Sequence, residues 1–199
     1  MGRKGFFICI EGLDGCGKTT QARLLASRLK ESYNAVYTAE PSGGKIGEFI
    51  KEYCLHAERR GSSIVEALLF AADRFEHVNN EIVPALNDGK LIVSDRYVYS
   101  SLAYQGATGL DLDWIKRINE HAIRPHLAIF IDVEPETVVH RLKAKKSVME
   151  NLGTQRKVRE VYLRFVKNGE LTLVDGNASK EKVSEEILTM VLEFLEKIC

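Results

Sequence analysis

The 199-residue sequence has no excess of either charge: 28 Lys and Arg stand against 28 Asp and Glu. A general nucleic-acid binder is normally basic overall, so the balance argues against that class. It leaves room for a local basic pocket. Cysteine is also scarce. Cys9, Cys16, Cys54 and Cys199 have no Cys-x-x-Cys spacing and no histidine at zinc-finger spacing. Scattered reduced thiols are expected rather than a disulfide or zinc framework. Long hydrophobic runs are missing too. The first, Phe6 to Ile10, is stopped by Glu11 and is too short for a signal-peptide core or a membrane span. Gly2 does not start a myristoylation motif, because Phe6 stands where Ser or Thr is needed. No repeat, low-complexity tract or Pro/Gly-rich linker divides the chain. One soluble, cytoplasmic domain over residues 1–199 is expected, with no membrane and no nucleic-acid partner.

What is present is a series of short apolar runs: 6–10, 35–39, 91–94, 127–133 and 171–174. Most are apolar throughout rather than alternating, the pattern of strands covered on both faces. Helical patterns lie between them. Ala22, Leu25 and Leu29 share one face of a helix starting near Lys18, and Val183, Ile187, Val191 and Leu195 share one face of the last segment. Ser179 is a candidate N-cap for that segment, with Glu181 suited to its first turn. The alternation predicts an α/β domain of three layers, a mostly parallel five-stranded sheet with helices on both faces. The charged stretch 143–157, which contains Gly153, lacks a clean apolar face.

Gly12, Gly17, Lys18 and Thr19 satisfy G-x-x-x-x-G-K-[ST], directly after an apolar run and at the start of a helical pattern. Such a loop turns backbone N–H groups onto phosphate oxygens, and the helix N-terminus adds partial positive charge. The expected nucleotide cradle is Gly12, Leu13, Asp14, Gly15, Cys16, Gly17, Lys18, Thr19 and Thr20. Lys18 neutralises the β/γ-phosphates, and the Thr19 hydroxyl ligates Mg²⁺. Asp14 is the anomaly, a carboxylate inside an anion cradle. A second anchor ends the run 91–94. Asp95 at the carboxyl end of a parallel strand faces the crevice where ligands bind, as a candidate Mg²⁺ ligand, and Arg96 suits a bidentate phosphate clamp.

These motifs, taken in order, resemble the thymidylate kinase family of P-loop nucleoside monophosphate kinases. The resemblance rests on residues 11–21, 39–51, 68–77, 95–106, 158–163 and 174–179, and spans roughly residues 5–180. It implies transfer of a phosphoryl group from MgATP to dTMP, a homodimer, and a small basic lid at about 143–157. It implies that Phe70 stacks on the thymine and Arg74 hydrogen-bonds it. Arg96 binds the acceptor phosphate and bridges toward the transferred phosphoryl, and Tyr104 crowds the sugar C2′ position. Ser101 and Gln105 line the base pocket, Glu40 and Pro41 flank the acceptor, and Asn177 lies near the adenine. Asp14 is implied to accept from the acceptor's 3′-hydroxyl, hold a Mg²⁺-bound water, or orient Arg96. The catalytic set is Lys18, Arg96, Asp14 and Arg141.

The residues alone also admit a salt-bridged strand end at Asp95-Arg96, core packing for Phe70 and Tyr104, and a helix-end polar role for Gln105. They admit a surface ion pair of Arg74 with Asp73 or Glu66. The competing functions are another nucleotide kinase (dUMP, UMP/CMP, AMP or deoxynucleoside acceptor) and a nucleotide-binding regulator. Two positions depart from the family. Ala39 stands where many bacterial members carry arginine before Glu-Pro, which resembles the archaeal-type branch. In the lid region most expected arginines are lysines, with Arg141 and Arg156 as arginine candidates, Lys143, Lys145 and Lys146 nearby, and Glu150 as the candidate lid acid.

Overall fold

The computed structural model describes residues 5–55, 61–142 and 151–198. Five strands, β1 (Phe6–Gly12), β2 (Val36–Ala39), β3 (Leu91–Asp95), β4 (Leu127–Asp132) and β5 (Thr172–Asp175), form one sheet in the order β2-β3-β1-β4-β5. Every pairing is parallel. Each apolar run predicted as a strand is one, within one or two residues at each end. Parallel pairing requires crossovers, and the helices supply them. These are α1 (Lys18–Tyr33), α2 (Lys45–Ile50), α3 (Ser63–His77), α4 (Val83–Asn87), α5 (Val98–Ala107), α6 (Leu112–Ile118), α7 (Pro135–Arg141), α8 (Leu152–Lys167) and α9 (Lys180–Ile198). The path from α3 to α4 runs on through a π-helical segment at Val78–Ile82.

The core explains why the strands read as unbroken apolar runs. Phe7, Ile8, Cys9 and Ile10 of β1 and Ile129, Phe130 and Ile131 of β4 are fully buried in the middle of the sheet. α1 packs against α9, and α5 against α8. The faces read from periodicity are the buried ones: Ala22, Leu25 and Leu29 on α1, and Val183, Ile187, Val191 and Leu195 on α9. Ser179 caps α9, its hydroxyl accepting from the Lys182 N–H at 3.3 Å.

Register then positions the chemistry. Ala39, Asp95 and Ile10 pair across β2, β3 and β1, so three chains leave the sheet side by side at its carboxyl edge. The stretch 11–17 leaves from β1, Glu40-Pro41 from β2 and Arg96-Tyr97 from β3. Of the segment expected as a lid, residues 143–150 lie outside the described residues. Asn151 caps α8 through Thr154 N–H, and 152–157 are its first turns. Cys9 and Cys16 are buried, and Cys54 carries no disulfide. Cys199 lies outside the described residues. No helix among the described residues is long and apolar enough to cross a membrane.

Candidate nucleotide site

The loop after β1 closes on itself before α1 begins. Cys16 N–H donates to the Leu13 carbonyl at 3.2 Å. Gly17 precedes the helix at φ 101°, a left-handed conformation open to glycine with little strain. At Gly12 a β-carbon would fall 2.5 Å from Cys16 Sγ, so close packing as well as backbone conformation requires glycine there. Lys18 is buried at the first position of α1, its Nζ donating to the Leu13 carbonyl at 3.1 Å and lying 3.6 Å from Asp14.

Asp14 is the anion of this cradle. Its carboxylate pairs with Arg96 Nη2 and faces Lys18, and its backbone N–H donates to the Tyr104 hydroxyl at 2.9 Å. Partial burial favours the neutral acid, but the Arg96 and Lys18 charges overcome it and hold the carboxyl down to about 2. The like-charge conflict seen in the sequence is thus relieved by two cations, and of the three roles left open for Asp14 the contact with Arg96 is present. Arg96 itself sits at φ 74°, unusual for a side-chain-bearing residue. Its N–H donates to the Ile10 carbonyl, and the Ser94 hydroxyl donates to its carbonyl at 2.7 Å. The guanidinium lies over the Tyr104 ring, 5.0 Å from the centroid, and donates through Nη1 to the Ser100 hydroxyl at 2.9 Å.

Thr19 and Asp95 meet directly, the hydroxyl donating to Asp95 Oδ2 at 2.5 Å. Asp95 Oδ1 is buried with no hydrogen-bond partner among the described residues. An unsatisfied carboxylate oxygen beside a hydroxyl is a hard-oxygen donor pair that fits Mg²⁺, which binds through one or two protein oxygens plus substrate phosphates. Sequence reasoning did not single out Tyr37, whose hydroxyl reaches within 3.5 Å of Asp95 Oδ2 and whose ring lies 5.0 Å from the Arg23 guanidinium.

A second group gathers around Arg74, which is fully buried. Its Nε and Nη2 donate to Glu40 Oε2 at 3.0 and 2.6 Å, Nη1 to Asn119 Oδ1 at 2.5 Å, and Nη2 also to the Ser101 hydroxyl at 3.1 Å. The surface pairing considered for Arg74 is corrected: Asp73 instead accepts from the Ser42 backbone and hydroxyl. Glu40 Oε1 faces His77 Nδ1 at 3.3 Å. Phe70 is half-buried one turn before Arg74, and Pro41 is half-buried after Glu40. Gln105 is buried on α5, its Oε1 without a partner among the described residues. Helix α5 joins the two groups, since it carries Ser100, Ser101, Tyr104 and Gln105.

The remaining predicted residues lie at the rim. Thr20 is exposed on α1, and Arg141 is exposed at the end of α7 with Nη1 3.4 Å from the Gly15 carbonyl. Asn177 is in the turn after β5, bonded to Asp175 and to the Glu134 N–H. Arg156 pairs with Glu136. Lys143, Lys145, Lys146 and Glu150 lie outside the described residues.

Sequence reasoning also passed over Glu11. It is fully buried at the end of β1, and its carboxylate accepts from Tyr97 N–H, Ser100 N–H and hydroxyl, and the Tyr162 hydroxyl. Burial pushes its carboxyl up to about 7, against the pull of Ser100, Arg96, Tyr162 and Tyr97. The available signal was a carboxylate ending an otherwise apolar strand.

A parallel sheet with a glycine loop between β1 and α1, a buried lysine opening α1 and an aspartate at the end of β3 define a P-loop nucleotide-binding fold. The thymidylate kinase family model matches residues 10–187. The chain is 45% identical over 197 residues to a probable thymidylate kinase of Pyrococcus abyssi, covering 94% of this chain and 96% of that protein. It is 43% identical to the probable thymidylate kinase of Pyrococcus horikoshii, with the same coverage. It is 38% identical over 203 residues to the thymidylate kinase of Caldanaerobacter subterraneus subsp. tengcongensis, covering 97% and 98%. The chain belongs to the thymidylate kinase family.

Proposed function

We propose that this chain transfers the γ-phosphoryl group of ATP to dTMP, giving ADP and dTDP, in the cytoplasm. One observation carries the acceptor side of this function. Asp14, Arg96 and Tyr104 meet between the phosphate loop and α5, within one helix of Ser101 and Gln105. Phosphoryl transfer asks the protein mainly for positioning and for positive charge on the equatorial oxygens. Lys18 and the loop N–H groups hold the donor phosphates, and Arg96 exchanges its partner Asp14 for the acceptor phosphate or shares itself between them. Thr19 and Asp95 would hold Mg²⁺, which would supply positive charge against the charge developing on the phosphates. Tyr104 excludes a 2′-hydroxyl, and Phe70 and Gln105 receive the base. Glu40, which is engaged by Arg74, acts by fixing that arginine. Arg141 and the basic segment at about 143–157 supply charge over ATP, and Asn177 lies beside the adenine. All of this sits in a single domain.

Coupled ADP release with MgATP against dTMP, dUMP, UMP, CMP, AMP and GMP tests the reading, with Lys18→Ala as control. ADP formation with dTMP far above the others is expected. Equal rates with UMP and dUMP would remove the role given to Tyr104, and preference for another acceptor would overturn dTMP. For the metal, Asp95→Asn is expected to raise the Mg²⁺ concentration for half-maximal rate about tenfold or more, with the KM for dTMP changed far less. An unchanged Mg²⁺ titration would exclude Asp95 as a ligand.

The functional unit we propose is a homodimer. Phe49 and Tyr53, stacked at 5.4 Å, and Ile64, Val65 and Leu68 are large apolar side chains left exposed on the adjoining α2–α3 region. A grouped apolar surface of this kind suits a second copy of the chain. Leu68→Glu is therefore expected to shift the sedimentation coefficient from dimer to monomer at micromolar protein. A wild-type monomer, or an unchanged Leu68→Glu dimer, would rule this face out.

A further inference from the structure

We infer that Glu11 is a positioning residue of the transfer reaction, setting the Arg96 guanidinium through Ser100 and tying α8 to the same point through Tyr162. The inference rests on the function proposed above.

Glu11 touches no candidate ligand group itself. Its Oε1 accepts the N–H groups of Tyr97 and Ser100 at 2.9 and 3.3 Å, and its Oε2 accepts the hydroxyls of Ser100 and Tyr162 at 2.6 and 3.0 Å. Four donors converge on its two oxygens, so it accepts every bond around it and sets their direction. Ser100 has one hydroxyl hydrogen. With that hydrogen committed to Glu11, the Ser100 oxygen must present lone pairs elsewhere, and Arg96 Nη1 donates to it at 2.9 Å. The carboxylate thus polarises the serine toward the arginine. An amide in its place can donate to Ser100, freeing the serine hydrogen to turn toward Arg96, where donor would meet donor.

The same carboxylate reaches across the sheet. Tyr162 on α8 stacks on Phe130 of β4, with ring centroids 4.7 Å apart, and its hydroxyl ends on Glu11 and lies 3.1 Å from the Ser100 hydroxyl. Helix α8 and the arginine beside the phosphate loop therefore share one buried anchor. Burial opposes ionisation of that anchor. A purely structural contact would be met with less desolvation by a neutral side chain.

Glu11→Gln and Ser100→Ala are the tests. Each is expected to lower kcat roughly 10- to 100-fold per folded site while the KM values for ATP and dTMP stay within about threefold. The double variant should be little worse than either single one, because both cut the same link. In the free protein the Arg96 Nε–Hε resonance should shift or broaden in both variants, a readout independent of the acceptor the enzyme uses. Wild-type kcat per folded site in both variants, or an unmoved Arg96 resonance, would overturn the inference. If Glu11→Gln does not fold, Ser100→Ala, which removes one hydroxyl, decides by the same two readouts. If wild type makes no ADP with dTMP, the proposed function fails, and the Arg96 resonance alone still decides the role of Glu11.

Discussion

Arg96→Ala should lower turnover with MgATP and dTMP about a thousandfold or more, with ATP binding within a fewfold of wild type. The magnitude follows from the role. An arginine that neutralises a transferring phosphoryl group contributes on the order of 10³–10⁵ in kcat. No other guanidinium is seen within hydrogen-bonding reach of Asp14 among the described residues, so nothing takes over its place. The removal also leaves Asp14 facing Lys18 alone. A carboxylate held ionised by two cations then has one, and it competes with phosphate for that one. Arg96→Lys keeps the charge but loses the planar fork that serves Asp14 and Ser100 together, so it should recover only part of the rate. The backbone supplies a separate control. Arg96 occupies φ 74°, which costs a side-chain-bearing residue roughly 1 kcal/mol or more relative to glycine. Arg96→Gly should therefore be as inactive as Arg96→Ala yet more stable by about that amount in a thermal melt. A kcat for Arg96→Ala within tenfold of wild type would remove Arg96 from the catalytic set.

The contrast between what could and could not be read from the chain is physical. The strands were legible because both faces of a central parallel sheet are covered, which leaves an unbroken apolar run as the local signature. The phosphate loop was legible because its glycines, lysine and threonine act within eight consecutive residues, 12–19. The faces of α1 and α9 follow from the helical period alone. Partner choice across the sheet had no such signature. Glu11 meets Tyr162 151 residues away, and Arg74 meets Asn119 45 residues away. Neither separation leaves a pattern in one sequence. Arg74 and Asp73 were natural candidates for a surface pair by adjacency. The register of β2 against β3 instead delivers Glu40 to Arg74, and the following turn delivers Ser42 to Asp73. Likewise the left-handed backbone of Arg96 is invisible in its residue type, since it is set by the hydrogen bonds to Ile10 and Ser94.

Glu40→Ala is expected to cost about 3–5 kcal/mol of folding stability. Glu40 and Arg74 are each almost wholly buried, with the charges 2.6 Å apart. Removing one member of such a pair leaves the other charge in a low-dielectric interior without its counter-ion, which is more costly than never having had the pair. Asn119 and Ser101 would still accept from the guanidinium, but neither carries charge. The His77 imidazole also loses its carboxylate neighbour, keeping Thr38 at 2.6 Å and the exposed Glu81. For a chain of this length the loss corresponds to a fall in Tm of about 6–20 °C. Glu40→Gln preserves the acceptor oxygen and the packing, so it should lose markedly less, and the difference between the two variants isolates the charge. The kinetic consequence separates the two jobs that the Arg74 position can hold. If Arg74 serves the thymine only when Glu40 fixes it, Glu40→Gln raises the KM for dTMP while leaving the KM for ATP unchanged. If the pair is a structural bolt between β2, α3 and α5, both KM values stay put and only the melt moves. A Glu40→Ala melt within 2 °C of wild type would mean that Arg74 finds water or another anion on losing Glu40, and that the site opens far enough to admit it.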